Sequence, residues 1–404
     1  MRDHAPVAAE THGSGEANLP VPTGRVSVLI STYNRAAMLE ECLASVLQQT
    51  VPPCQVIVID DGSTDDTEER VARFGAQVEY LYKENAGKSS ALNAALPRVT
   101  GDYIWVFDDD DVALPTSIEV RLRALQASPG AGVVFSRHRW GASGPDGRIE
   151  AQEEIAWPAV GESNLLLTLM RGCFTTLQGA LARTGSYRAA GPFREELLRS
   201  QDYDMLIRLA RHCRVVLLDQ PTFIFRRHGD QRGPATLRHA VDERERLWAR
   251  YDGMLGRALR SEAELGEFLA PPVRGELTAD QRREAVLNRM SVMASKGLAS
   301  EFIDDAAEFV EQVKAAPGDV TSVQRAVARS ALQHRYFLFN VMPERAAFLQ
   351  RARVLAHTPQ GRTLLRAFAR GLLGLARWDG VSSRERLLTL QLVLQLGWLG
   401  LRPG

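Results

Sequence analysis

One stretch, Asp102–Pro115, constrains the fold more than any other: Asp-Tyr-Ile-Trp-Val-Phe-Asp-Asp-Asp-Asp-Val-Ala-Leu-Pro. Tyr103–Phe107 is the aromatic and β-branched run of a strand buried on both faces of a parallel sheet. It passes without a spacer into four consecutive carboxylates, Asp108–Asp111. Adjacent carboxylates repel one another, and in a low-dielectric cleft one or more would have to take up a proton. A divalent cation removes that difficulty, because hard cations take carboxylate oxygens. Ligands of open α/β sheets sit at the carboxyl ends of the strands, where these aspartates fall. A solvated acidic turn is the bland explanation of such a tetrad. The apolar strand before it, and Pro115 opening a helix after it, favour a site.

The surrounding chain repeats the same alternation. Val26–Ser31, Gln55–Ile59, Val78–Tyr82 and Gly132–Ser136 read as further strands. Between them, Met38–Gln49, about Asp66–Phe74, a segment carrying Ala91, Leu92, Ala95 and Leu96, and about Pro115–Ala127 show helical spacing. Strands alternating with helices at this interval mean βαβ units and a mostly parallel sheet. The polar strand ends at Thr32, Asp61 and Asp108 should then gather along one edge. Two phosphate motifs fail here. Gly87-Lys88-Ser89 lacks the glycine a P-loop needs five residues earlier, where Tyr82 stands. No Gly-x-Gly-x-x-Gly follows the first strand, so the dinucleotide turn is missing as well.

Charge narrows the partners. Lys+Arg equals Asp+Glu at 49 each, so no global field points to nucleic acid or an acidic polymer. Nearly all the basic residues are arginine, and GC-rich coding accounts for that. Cys42, Cys54, Cys173 and Cys213 are scattered with no Cys-x-x-Cys pair, which suits reduced thiols in a cytoplasmic protein. Residues 1–24 are polar and lack an apolar core, so a disordered leader is expected there rather than a signal peptide. No run of eighteen apolar residues occurs to cross a bilayer.

Four segments in order carry a resemblance: Val-Leu-Ile-Ser-Thr-Tyr-Asn-Arg, Val-Ile-Asp-Asp-Gly-Ser-Thr-Asp, Asn-Ala-Gly-Lys-Ser-Ser-Ala-Leu-Asn and Tyr-Ile-Trp-Val-Phe-Asp-Asp-Asp-Asp. Over roughly residues 24–230 the chain resembles family-2 glycosyltransferases of the GT-A fold. The resemblance implies a nucleotide-sugar donor, a divalent metal (Mn2+ or Mg2+) on an Asp-x-Asp element, and inversion at the anomeric carbon. Position by position, Thr32 and Tyr33 resemble the residues framing base and ribose, and Asp61 the acceptor of the uracil N–H. Arg35 joins this donor-binding group. Asp109 resembles the residue touching the ribose and Asp110 the metal ligand; Asp108 can join it, because four consecutive aspartates leave the register open by one. Lys88 resembles a donor-site lysine near the phosphates, and an exposed lysine at a helix start explains it equally well.

Further along, Gly191–Leu197 resembles the family's Gly-Gly-Phe-Asp-Glu-x-Leu loop. Gln201-Asp202-Tyr203-Asp204 stands where Glu-Asp-x-Asp is usual, which makes Asp202 the candidate general base. Asp202 and Asp204 cannot share a helix face and should have different jobs. Thr222–Arg227 reads as an edge-like strand leading to His228, a candidate further metal ligand. Arg226 or Arg227 could pair with a diphosphate. Gly172–Gln178 is the nominated acceptor loop.

From about Ala235 the strand pattern stops. Helices are expected over about Leu237–Arg260, Ala279–Lys296, Ser300–Ala315, Val320–Phe339, Glu344–Ala356, Arg362–Arg377 and Ser383–Leu396, punctuated by Pro271-Pro272, Gly318, Pro343 and Pro359. The expected architecture is therefore an α/β domain over 25–234 followed by an all-α domain over 235–404. The last helix is apolar almost all round, and burial, a homodimer seam or a peripheral membrane contact would each account for it. The expected activity is transfer of a sugar, with UDP as the expected nucleotide, to a hydroxyl of a glycan, a lipid-linked glycan or a small molecule. Modification of a peptide side chain, or a catalytically silent nucleotide-binding scaffold, are the alternatives.

Overall fold

The computed structural model of the protein describes residues 22–144, 147–154, 156–227, 241–315, 319–377 and 382–401. The first half lays down β1 (Val26–Thr32), α1 (Ala36–Leu47), β2 (Gln55–Asp60), α2 (Thr67–Ala72), β3 (Glu79–Tyr82), α3 (Lys88–Ala95) and β4 (Tyr103–Asp108). β5 (Val112–Ala113), α4 (Ser117–Ala127), β6 (Ala131–Ser143), β7 (Ile149–Glu154), α5 (Leu165–Arg171), β8 (Ala180–Arg183), α6 (Thr184–Ala190), α7 (Gln201–His212) and β9 (Arg214–Arg227) complete the sheet region. The strand order is β3-β2-β1-β4-β8-β6-β9-β5, with β7 paired to β6. β3, β2, β1 and β4 run parallel, β8 is antiparallel to both neighbours, and β6 and β9 pair in parallel.

Residue alternation explains why the sheet is covered on both sides. Val26, Val28 and Ile30 of β1, with Trp105 and Phe107 of β4, face Leu39 and Leu43 of α1 and Ile118 and Leu122 of α4. The intervening residues Leu29, Ile57, Ile59, Ile104 and Val106 face the opposite way, toward Ala91, Leu92 and Ala95 of α3 and the helices beyond. A strand with apolar residues at every position has to be buried twice over.

The helical region holds α8 (Val241–Glu262), α9 (Ala279–Ser295), α10 (Ala299–Lys314), α11 (Ser322–Ala331), α12 (Arg335–Val341), α13 (Arg345–Ala352), α14 (Pro359–Leu375) and α15 (Ser383–Leu401). Thr278, Thr321 and Thr358 cap α9, α11 and α14 by accepting a hydrogen bond from the third backbone N–H of each helix, which satisfies a donor the helix itself cannot. Phe302, Phe337, Phe348 and Phe368 form the aromatic centre of this half. Its apolar core is continuous with the α3–α7 side of the sheet. Among the described residues, no helix is long and apolar enough to cross a membrane.

Three expectations needed revision. Thr222–Arg227 is the far end of the 14-residue β9, held between β6 and β5. Pro221 sits where the β6–β9 register shifts, so the missing N–H does not break the strand. The helix expected over Val320–Phe339 breaks after Ala331 and restarts at Arg335. The helix expected to run to Ala356 ends at Ala352 and tightens into a 3-10 turn over Arg353–His357.

Candidate active site

The carboxyl ends of β1, β2 and β4 open into a cleft of about 1220 Å³. In the sheet register Thr32 stands beside Asp60 and Ser31 beside Asp108, so parallel pairing alone brings the polar strand ends to one rim. Thr32, Tyr33, Arg35, Asp61, Lys88, Asp108, Asp109, Asp110 and Asp202 all line this cleft. His228 lies outside the described residues.

The four aspartates point in different directions. Asp108 faces the cleft, where the Lys88 ammonium donates to its Oδ1 at 2.6 Å and to Asp202 Oδ2 at 3.0 Å. Asp109 accepts from Thr32 Oγ1 at 2.7 Å and from Arg35 Nη1 at 3.0 Å, and the same Nη1 reaches Asp110 Oδ2 at 2.9 Å. Asp111 is fully buried and does not line the cleft; it accepts from Gln178 Nε2 at 3.0 Å and from the Arg226 backbone N–H at 2.9 Å. Ligand oxygens of Asp108, Asp110 and Asp111 lie within 4.8 Å of one another. Hard carboxylate oxygens at this spacing fit a divalent cation, and Asp108 and Asp110 are the two that reach it from the cleft.

Crowding shows in the acidities. Burial raises Asp108 to about 6, with the Asp202 and Asp110 charges adding and Lys88 opposing. Burial likewise raises Asp109, against the pull of Arg35. Burial works against the Lys88 charge, yet Asp108 and Asp202 outweigh it and hold the ammonium above its ordinary range.

Asp61 organises the opposite lip. It accepts from Lys83 Nζ at 2.8 Å and from the backbone N–H groups of Ala86 and Gly87 at 3.0 and 2.7 Å. The next residue, Gly62, has φ +87, and a Cβ there would meet the Asn85 nitrogen at 2.9 Å. The turn ending in Gly87 (φ +92) starts α3, whose first residue is Lys88. That start aims the Lys88 side chain into the cleft.

Asp202 and Asp204 divide as their spacing on the helix requires. Asp204 is buried in ion pairs with Arg208 at 2.6 Å and Arg194 at 3.4 Å, a structural role. Asp202 faces the cleft, and its Oδ1 has no hydrogen-bond partner among the described residues. The residue before α7, Ser200, is held at φ 61 while its hydroxyl donates to Asp252 of α8 at 2.6 Å. The helical region therefore anchors the turn that presents Asp202. In the Gly191–Leu197 loop, Phe193 is buried and exchanges two hydrogen bonds with Asn93 of α3. Cys173, Thr175 and Gln178 of the nominated acceptor loop also line the cleft.

Arg226 is not available to a diphosphate. It is 1% exposed, donates from Nε to the Asp110 carbonyl at 2.8 Å, and pairs with Glu41. Arg227 stacks over Trp140 at 4.1 Å and pairs with Glu153, away from the cleft lining. Sequence reasoning missed Lys83 and the whole wall supplied by the helical region: Trp248, Asp252, Ser295, Lys296, His334 and Tyr336. One signal was present. The chain has four lysines among its 49 basic residues, and Lys83, Lys88 and Lys296 bond respectively to Asp61, to Asp108 and Asp202, and to Tyr203.

Comparison with known proteins agrees with this geometry. Residues 27–179 match the family described as glycosyl transferase family 2. An uncharacterized glycosyltransferase of Rickettsia typhi is 29% identical over 233 residues, which is 55% of this chain and 70% of that protein. The chondroitin synthase of Pasteurella multocida is 28% identical over 208 residues, 51% of this chain and 21% of the synthase. Among solved structures, S. aureus TarS 1–349 in complex with UDP-GlcNAc superposes with a TM-score of 0.50 at 15% identity, covering 76% of this chain and 86% of that one. The shared fold is GT-A.

Proposed function

We propose, from the match of residues 27–179 to glycosyl transferase family 2, that this chain's cleft takes a UDP-sugar and passes the sugar to an acceptor hydroxyl with inversion. UDP-GlcNAc is the ligand of the S. aureus neighbour, and a uridine nucleotide suits a lip where Asp61 lies beside Thr32 and Tyr33. The observation that carries the reading is Lys88. One ammonium lies within 3.0 Å of both Asp108 and Asp202, so the cation-holding carboxylates and a second, separate carboxylate face the same small space.

Each group then has a task. Asp108 and Asp110 would hold Mn2+ or Mg2+, which when bound supplies Lewis-acid stabilisation of the departing diphosphate. Thr32 and Arg35 fix Asp109 for the ribose. Lys88 stays protonated and adds positive charge beside the phosphates. Asp202 removes the proton from the acceptor hydroxyl as the new C–O bond forms, because a neutral hydroxyl is a poor nucleophile. A single displacement with one base inverts the anomeric carbon.

The test is nucleotide release from a panel of UDP- and GDP-sugars with and without Mn2+ or Mg2+. Metal-dependent release that disappears in Asp110→Ala is expected. Release that is independent of metal, or a purified protein that binds no nucleotide sugar, would overturn the reading.

A further inference from the structure

The far end of the cleft holds a cationic pocket that the donor chemistry does not use. Lys296 follows the last residue of α9 and is 1% exposed. Its ammonium bonds to the Tyr203 hydroxyl at 2.6 Å and lies 4.3 Å from the centre of that ring. Arg171, at the end of α5, donates to Asn288 at 2.9 Å, while its Nε is buried with no partner among the described residues. Neither side chain forms an ion pair with a carboxylate among the described residues. Asp252, which lines the same end, accepts from Ser200.

Burying an ammonium against a neutral hydroxyl costs stability unless something compensates it. Here burial lowers the pKa of Lys296 against the nearby Asp252 and Cys173, and burial lowers that of Arg171. The fold nevertheless makes room for the lysine. Gly297, at φ 68, ends the helix directly after it. In α8 a Cβ at Gly256 would meet Lys296 Cβ and Cγ at 3.0 Å, so the glycine leaves space for the stem. The pocket is next to the proposed base: Tyr203, which receives the Lys296 ammonium, follows Asp202, and the charges of both Lys296 and Asp202 act on the Cys173 thiol. Trp248 adds an aromatic wall that is 38% exposed, of the kind on which an apolar sugar face packs.

The geometry points to an acceptor subsite in which Lys296 and Arg171 bind the carboxylate or phosphate of an anionic, hydroxyl-bearing acceptor and thereby present its hydroxyl to Asp202. This rests on the transferase reading and gives it an acceptor class. The buried Lys296 ammonium and the half-buried Arg171 line the same cleft without an ion-paired carboxylate among the described residues, so a ligand bringing a negative charge brings the pocket nearer to balance.

The probes are glucose, glucuronate and glucose 6-phosphate, titrated by ligand-observed NMR into the full chain at saturating UDP and Mn2+, which blocks the donor site. The anionic probes should bind about 10- to 100-fold more tightly than glucose, the range set by hydrogen bonds to charged groups. Lys296→Met and Arg171→Met should remove most of that preference while the UDP affinity and the thermal midpoint stay near wild type. Preference for glucuronate identifies a sugar acid, and preference for glucose 6-phosphate a phosphorylated acceptor. If UDP binds and the three sugars are indistinguishable, or if both variants keep the preference, the acceptor inference is overturned and the transferase reading stands. The wild-type comparison decides the matter even if a variant unfolds. Failure of UDP to bind with Mn2+ instead sinks the UDP-sugar reading on which the inference rests.

Discussion

Replacing Asp108 with asparagine should stabilise the protein while disabling it. Burial and two neighbouring carboxylates lift Asp108 to about 6 from an ordinary 3.8. An acid whose folded pKa exceeds its unfolded value binds its proton more tightly in the folded chain. Its contribution to stability is therefore complete below about pH 4 and is lost as the pH rises through about 6. At about 1.4 kcal/mol per pH unit, ionising this one group at neutral pH costs up to about 3 kcal/mol. Asparagine has nearly the same shape and keeps a carbonyl oxygen for the Lys88 ammonium, so most of the local packing survives. In EDTA, urea unfolding should find Asp108→Asn more stable than wild type by about 1–3 kcal/mol at pH 7.5 and equal to it at pH 4. Saturating Mn2+ should reverse the order at pH 7.5, because binding to the folded chain stabilises only the protein that retains the ligand. A variant less stable than wild type in EDTA at pH 7.5 would refute the reasoning, since attraction to Lys88 would then outweigh the crowding. A wild type that gains nothing from Mn2+ or Mg2+ would refute the assignment of the cation.

Other perturbations follow from the same contacts. Asp202→Asn should cut sugar transfer by about 10²- to 10⁴-fold with UDP binding kept, measured by stopped-time transfer and calorimetry; a rate within a few-fold of wild type would exclude it as the base. Asp61→Ala strips acceptors from Lys83 and from the Ala86 and Gly87 N–H groups, and should cost about 1–3 kcal/mol in denaturant unfolding together with weaker UDP binding. Phe302→Ala empties the centre of the helical half, where the ring is fully buried 4.7 Å from Phe368. It should cost about 3–5 kcal/mol by the same unfolding measurement.

The parallel sheet was legible because β2 and β4 carry unbroken apolar runs and β1 one interrupted only by Ser27, and such runs have few places to go except between two layers. The rim was legible too, since parallel register carries Thr32, Asp61 and Asp108 to one edge whatever the loops do. Asp111 was not separable from Asp110. Four identical residues carry no local mark of which one turns inward, and the choice is made by Gln178, 67 positions away, and Arg226, 115 positions away. The break after Ala331 was hidden for a related reason. Leu332-Gln333-His334 contains no glycine or proline, and packing rather than propensity ends the helix there. That break is what places His334 and Tyr336 in the cleft wall.

The amino-acid sequence by itself determined the layered α/β architecture, the acidic strand end and the helical character of the second half, because hydrophobic periodicity and like-charge repulsion act between near neighbours along the chain. Tertiary structure alone decided which carboxylates face the cleft, that Arg226 is a buried clamp, and that Lys296 lies in the cleft wall beside Tyr203. Those outcomes depend on which distant partner satisfies each buried charge: Asp111 and Arg226 meet theirs only when the sheet closes, and Lys296 only when the helical half packs against it.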